Sequence, residues 1–317
     1  MSGPRYRPGR VDRMLDRSIV GGYSAIGYRL RCRRWPPGDP ATGAMRGRTA
    51  LVTGADSGIG YAITARLAAL GASVILAVRN PDKGIRARAG ILAGLPGADL
   101  SVRQCDLTDP AGLTACAAAV PDVVDVVVHN AGVLPDRRTE TRSGHELTLA
   151  THVLGPLRLT GLLLPALSRA PDPRVVFVAS AGMYTQGLPW SDPEYRDGTY
   201  RGATAYARTK RIQVAFAPLA AQHWRVGVHT MHPGWVDTPG LRAALPVFRR
   251  GVAPILRNPG AGADTAVWLA AASGPLPNGQ FWHDRRIRPQ HRLATTRYTA
   301  DQLRDLWDYC RTAAETG

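Results

Sequence analysis

The chain has 317 residues, 44% of them apolar and 20% charged, and carries a formal net charge of +16 at pH 7. Its four cysteines, Cys32, Cys105, Cys116 and Cys310, show no CxxC and no metal-ligand spacing. This argues against a disulfide framework or a bound metal and suits a reducing, cytoplasmic compartment. Only Lys83 and Lys210 are lysines, so the positive charge is almost wholly arginine, a matter of association and solubility rather than of fold.

Residues 1–47 read as a basic extension, with arginines from Arg5 to Arg48 and a break at Pro36–Pro37–Gly38. Within it Val11, Leu15, Ile19, Ile26 and Leu30 fall mostly on one helical stripe, which is expected to pack on the protein itself. The arm is also a candidate for peripheral contact with an anionic membrane. The apolar run from Ile19 to Ile26 is broken by Gly21 and Gly22, and no cleavage site follows it. No stretch reaches the ~20 apolar residues of a bilayer span, so no transmembrane segment is expected.

From residue 49 short apolar runs alternate with helical patterns. Strands are expected at Thr49–Thr53, Ser73–Val78, Leu100–Gln104, Val123–His129, Arg174–Ala179 and Val226–Met231. Helices are expected at Ala62–Leu70, to about Leu92, from Glu146 to Leu167 and near Tyr206–Gln222. Such alternation requires crossover connections and an α/β fold, a Rossmann-type doubly wound sheet of about seven parallel strands covered on both faces. Thr299–Gln302 has capping-box spacing and opens a helix to about Ala314. Three units follow: the extension 1–47, a nucleotide-binding domain 48–285 and a tail 286–317.

Residues 51–60, Leu-Val-Thr-Gly-Ala-Asp-Ser-Gly-Ile-Gly, place Gly54, Gly58 and Gly60 after a strand and at a helix start. That context distinguishes a dinucleotide fingerprint from a chance glycine cluster. Ser57 and Ile59 lie in the same turn and count with the glycines as cofactor-binding. The helix N-terminus offers free N–H groups and a positive dipole end to phosphates. The next strand ends at Val78–Arg79, where an NAD-binding fold usually carries an acid for the ribose 2′-OH. The missing acid and the arginine favour NADP(H) over NAD(H).

Tyr206-Ala-Arg-Thr-Lys210 sets a phenol and an ammonium four residues apart, on one face of the expected helix. The ammonium is expected to lower the phenol pKa towards neutrality, as a general acid/base requires. A lysine kept among so many arginines suits a chemistry that needs a compact charge.

The Thr53-Gly54-x-x-x-Gly58-x-Gly60 turn, Asp106-Leu107, Asn130-Ala131-Gly132, Ser180, Tyr206/Lys210 and Pro233-Gly234 together resemble the short-chain dehydrogenase/reductase family, in its order and over about residues 48–285. The resemblance implies that Ser180 donates a hydrogen bond to a substrate carbonyl and that Tyr206 exchanges the proton. It implies that Lys210 binds nicotinamide ribose, that Asp106 and Leu107 meet the adenine, and that Asn130, Ala131 and Gly132 run along the cofactor. Pro233, Gly234, Val236 and Thr238 would border the nicotinamide, Thr238 at its carboxamide. Met231-His232-Pro233-Gly234-Trp235, Gly262-Ala263-Asp264-Thr265 and Phe281-Trp282-x-Asp284-Arg285 are similar to the "member twelve" branch of the dehydrogenase/reductase proteins, which also has extensions at both ends.

Two positions depart from the family pattern. His129 precedes Asn130 where an asparagine is usual, and His152 replaces the helix asparagine that holds a water relay to the lysine. A neutral imidazole is expected to hold that water in its place. The expected function is an NADP(H)-dependent oxidoreductase interconverting a carbonyl and an alcohol, with an apolar substrate. The alternative is a non-catalytic NADP(H)-binding regulator. A nucleic-acid binder is the third class, but no aromatics are interleaved with the arginines. The segment with Tyr184, Trp190, Tyr195 and Tyr200 is read either as an aromatic pocket wall or as a locally packed loop. Residues 239–257 are expected to form a lid. The helices near 146–167 and 206–222 are where family members pair into oligomers.

Overall fold

The computed structural model describes residues 9–244 and 246–316. Arg5 and Arg7 of the basic arm and Leu245 of the expected lid lie outside the described residues. Three short helices come first among the described residues, α1 (Arg10–Arg17), α2 (Ile19–Tyr23) and α3 (Ala25–Cys32). The first half of the nucleotide fold then runs β1 (Thr49–Thr53), α4 (Gly58–Ala69), β2 (Ser73–Val78), α5 (Pro81–Gly94), β3 (Leu100–Gln104) and α6 (Pro110–Ala118). The second half runs β4 (Val126–His129), α7 (Leu147–Leu149), α8 (Gly155–Leu167), β5 (Arg174–Val178), α9 (Gly202–Trp224) and β6 (Gly227–Met231). It continues with α10 (Pro239–Ala244), α11 (Pro246–Val252), α12 (Pro259–Ala271), β7 (Gln280–His283), β8 (Arg286–Ile287) and α13 (Ala300–Thr316).

The sheet order is β3-β2-β1-β4-β5-β6-β7-β8. β1 to β7 pair in parallel, matching the seven expected, and β8 adds an antiparallel edge. Alternate strand residues face opposite layers. Leu51, Ile75, Val127 and Val175 enter one apolar core, and Val52, Leu76, Val128 and Val176 the other. Both faces being covered explains why the strands read as continuous apolar runs rather than alternating ones. The order reverses between β1 and β4, which opens the ligand crevice of doubly wound sheets at the carboxyl ends of these strands.

β7 and β8 form a hairpin whose two-residue turn, Asp284–Arg285, has φ of +49° and +58°. Two positive φ values fit the twist of a tight hairpin, but that turn usually carries Asn-Gly. Long-range ion pairs hold it instead: Asp284 meets Arg257 at 2.6 Å and Arg31 at 2.7 Å, and Arg285 meets Asp264 at 2.8 Å.

The N-terminal helices lie against this hairpin and overturn the expectation for their apolar stripe. Asp12 and Asp16 point inward to Arg288 at 2.7 Å and Arg292 at 2.6 Å, whereas Val11, Ile19, Ile26 and Leu30 are exposed and Leu15 is half-buried. Ion pairing to the tail set the orientation, and the apolar residues were left outside. Against the expectation of no bilayer-spanning stretch, the 21 residues Leu147–Leu167 are long and apolar enough to cross a membrane by length and composition. Their mean hydropathy is 1.3 over an 18-residue window, although 67% of that window is buried within the fold.

Candidate active site

Every motif of the nucleotide crevice follows a parallel strand. Gly54 after β1 and Gly58 at the start of α4 have φ of +63° and +55°, which side chains rarely adopt. A Cβ at Gly60 would collide with the Gly54 carbonyl and the Asn130 amide. Ser57 caps α4 without a side-chain hydrogen bond, so the first-turn N–H groups face the crevice. Across it stands Thr238, 3.5 Å from where a Gly58 Cβ would lie. The turn thus fits a dinucleotide pyrophosphate, with Ile59 half-buried behind it. Arg79 is exposed just after β2, and Val78, which ends the strand, is buried in the core, so neither position supplies a carboxylate.

β1 and β4 are tied together beneath this turn. Thr53 Oγ1 accepts from the backbone N–H groups of Asn130 and Ala131, both at 3.1 Å, and the Asn130 side-chain amide donates to the Thr53 and Gly54 carbonyls. Asn130 therefore shapes the cradle as well as lining it. Asp106 Oδ1 accepts from the backbone N–H and hydroxyl of Thr108, which fixes the turn after β3. Leu107 is buried under Gly155.

Tyr206 lies half-buried on the first turns of α9, and Lys210 is buried one turn on. Ser180 follows β5 and accepts from the Gly182 N–H at 3.2 Å. Burial raises the Tyr206 pKa, and a hydrogen bond with Ser180 opposes this only in part. The expectation that Lys210 draws the phenol towards neutrality is therefore corrected. The Lys210 Nζ lies 5.4 Å from the Tyr206 ring centre and donates instead to the Val178 carbonyl at 2.8 Å and to Gln213 Oε1 at 3.2 Å. With no acid beside it, burial pulls the lysine down to about 7.

His152 sits in a π-helical stretch, Ala150–Leu154, just before α8. Its Nε2 accepts from the Val133 N–H at 3.0 Å, so the proton rests on Nδ1, which donates to Thr209 Oγ1 at 2.8 Å. Both ring nitrogens are occupied, and burial with the nearby Lys210 charge keeps the ring neutral. The expected water held by this imidazole has no nitrogen left to hold it. The backbone carbonyl of His152 does the connecting: it accepts from Gln213 Nε2 at 2.7 Å, and Gln213 Oε1 receives the lysine. Such π turns recur at functional sites. The His152 ring packs edge-on to Tyr206, 5.3 Å between centres. Gln213 and Thr209 escaped the sequence reading. The signal was one amide in the run Ile212–Ala217, three residues after Lys210 and so on its face.

Other positions are more structural. His129 is buried, bonded to Thr160 Oγ1 at 2.8 Å and stacked on Phe177. Gly234, at φ +80°, leaves room for Arg257 and for the Tyr23 carbonyl; Val236 is buried and bridges to Arg257, beside Pro233. The segment before Tyr206 is a locally packed loop rather than a pocket wall. Tyr184 donates to the Pro289 carbonyl at 2.7 Å, Tyr195 and Tyr200 pack on each other, and Trp190 is exposed. The expected lid, outside Leu245, folds as α10 and α11, and Thr238 Oγ1 accepts from the Leu241 N–H.

Residues 48–246 match the family model of the short chain dehydrogenases. The chain belongs to the short-chain dehydrogenase/reductase family. Its members are oxidoreductases. The human "Dehydrogenase/reductase SDR family member 12" is 35% identical over 274 residues, covering 85% of this chain and 86% of that protein. Human "Retinol dehydrogenase 12" is 31% identical over 268 residues, covering 82% and 84%. Among solved structures, a protein of Mycobacterium paratuberculosis superposes with a TM-score of 0.69 at 26% identity, covering 86% of this chain and 94% of that one. A short chain dehydrogenase of Escherichia coli CFT073, solved with NADPH, gives 0.60 at 25% identity, covering 73% and 94%.

Proposed function

We propose that this short-chain dehydrogenase/reductase is an NADP(H)-dependent reductase of a small-molecule carbonyl, working in the cytoplasm. One observation carries the reading: a solvent-poor phenol, Tyr206, kept in its protonated form beside Ser180 and one helical turn from a buried lysine. The glycine turn and the α4 N-terminus would hold the pyrophosphate, and Arg79 the 2′-phosphate. The reduced cofactor supplies the hydride that the carbonyl carbon takes up.

The chain's residues handle the proton. The Ser180 hydroxyl orients the carbonyl oxygen, and Tyr206 Oη gives that oxygen its proton. A pKa above the usual tyrosine value keeps the donor loaded at neutral pH. The phenolate so formed is stabilised by the Lys210 ammonium, which Val178 and Gln213 hold in reach. In the reverse direction Tyr206 must first ionise, so alcohol oxidation is expected to climb with alkaline pH, whereas reduction is expected to fall as the Lys210 ammonium is lost above about pH 7. NADPH bound by the Escherichia coli relative of the same fold supports the cofactor assignment.

The test is a titration of the purified chain with NADPH and with NADH, followed by a panel of carbonyl compounds read at the nicotinamide absorbance. NADPH should bind more tightly by about 10–100-fold, the worth of one charged hydrogen-bonding contact. Equal affinity for NADH removes the role of Arg79, and a silent panel removes the reductase reading.

A further inference from the structure

The N-terminal helices are amphipathic in the inverted sense. Asp12, Asp16 and Arg31 face inward, paired with Arg288, Arg292 and Asp284. Val11, Met14, Ile19, Val20, Ile26 and Leu30 face outward, Met14 with 71% of its surface exposed. A scattered exposed apolar residue is ordinary, but six on one short segment with an ionic inner face form a patch. Helical spacing places Arg10 and Arg17 on either side of Met14, and Arg29 and Arg33 beside Ile26 and Leu30. These four arginines and Arg34 are exposed, with no ion pair among the described residues. The patch cannot turn inward without breaking these three inward ion pairs, of which Arg31–Asp284 is fully buried. It is also anchored: the Tyr23 carbonyl accepts from the Trp235 N–H at 2.8 Å and from Arg257 Nε at 3.0 Å, and its ring packs on His232.

We propose that this face docks on an anionic lipid membrane surface, its apolar side chains entering the headgroup boundary and its arginines meeting lipid phosphates. Apolar residues fringed by cations suit that environment on both counts. A second copy of the chain fits less well, because a two-fold contact would set arginines against arginines. Nucleic acid offers phosphates but no counterpart for six aliphatic side chains, and base-stacking aromatics are not among them.

The test is flotation of the full chain with vesicles of phosphatidylcholine alone and of phosphatidylcholine mixed with phosphatidylglycerol. The chain should float with the mixed vesicles only. Replacing Met14, Ile19 and Val20 together by serine should weaken this at least about tenfold. Replacing Arg17, Arg33 and Arg34 by glutamine should weaken it by about a hundredfold. Both variants should keep wild-type cofactor affinity and melting temperature, because every substituted side chain is exposed. A serine variant that floats like wild type reduces the contact to net charge and overturns the proposal. So does a wild type that ignores mixed vesicles yet is retained on duplex DNA. A wild-type dimer that the serine variant turns into a monomer assigns the patch to a second copy instead.

Discussion

Two buried polar clusters lie at the carboxyl ends of the strands, and they solve the same problem in opposite ways. Around Asp284 the charges are matched. Burial alone would raise its pKa, but the guanidiniums of Arg257 and Arg31 hold the carboxylate well below the usual range. Around Lys210 nothing is matched: its partners are the Val178 carbonyl and the Gln213 amide, both neutral, and burial takes the lysine down to about 7. A matched cluster has its charges fixed and serves as a clamp. An unmatched ammonium stores the electrostatic demand that a phenolate forming on Tyr206 would satisfy. Charge compensation thus separates what holds the molecule together from what is poised to react.

The largest effect expected from this division is on Tyr206. Tyr206→Phe should lower kcat for carbonyl reduction by about 10²–10⁴-fold with cofactor affinity unchanged, measured by steady-state rates and fluorescence titration. Next comes the clamp. Asp284→Ala should cost about 3–5 kcal/mol of stability, since it strands the buried Arg257 guanidinium and leaves Arg31 with Asp12 alone, while the folded fraction keeps its kcat. Urea unfolding with activity normalised to folded protein checks both. A fall in normalised kcat comparable to that of Tyr206→Phe would erase the division between the clusters.

The clusters also differ in how far the chain announces them. Gly54, Gly58 and Gly60, and the Tyr206–Lys210 spacing, are local, each defined within one turn or helix, and so they could be read directly. The clamp is not local. Arg288 reaches Asp12 across 276 positions, and Asp284 reaches Arg31 across 253. Its hairpin lacks the glycine or asparagine that marks such a turn, because distant ion pairs stabilise Asp284 and Arg285 at positive φ. The same distance defeats the reading of the N-terminal stripe: periodicity finds an apolar face, but only Asp12 and Asp16 meeting the tail decide which face turns inward. At the site, Lys210 was legible and its surroundings were not. Gln213 gains its meaning from a carbonyl exposed by a π turn 61 residues earlier.

Gln213 allows the comparison to be sharpened within the site itself. Gln213→Leu removes a neutral acceptor from Lys210 and should lower kcat by about 10–100-fold, the loss of one hydrogen bond to a charged group. Because that bond favours the ammonium, the alkaline limb of the reduction profile should move to lower pH. Gln213→Glu makes the site resemble the clamp. Its carboxylate should raise the lysine pKa and move the same limb to higher pH. Opposite shifts in the two pH profiles assign Gln213 to positioning the lysine; parallel or absent shifts reduce it to packing.

The smallest expected effect is on stability, and its sign separates the clusters. Asp284 has a lowered folded pKa, so its contribution is present above the unfolded value of 3.8 and is lost as pH falls through the folded one. Lys210 acts the other way. Its folded value of about 7 lies below the unfolded 10.5, so below pH 7 the folded chain carries the full cost of a buried unmatched charge. As pH rises from 7 towards 10.5 the folded state has released a proton that the unfolded chain still binds, and stability is regained. Lys210→Met should therefore stabilise the protein below pH 7 by about 0.5–2 kcal/mol while abolishing turnover. The gap to wild type should close as pH rises, which thermal melts on either side of pH 7 would reveal. A Met variant less stable than wild type at every pH would mean that Lys210 is matched after all, by a partner outside Val178 and Gln213.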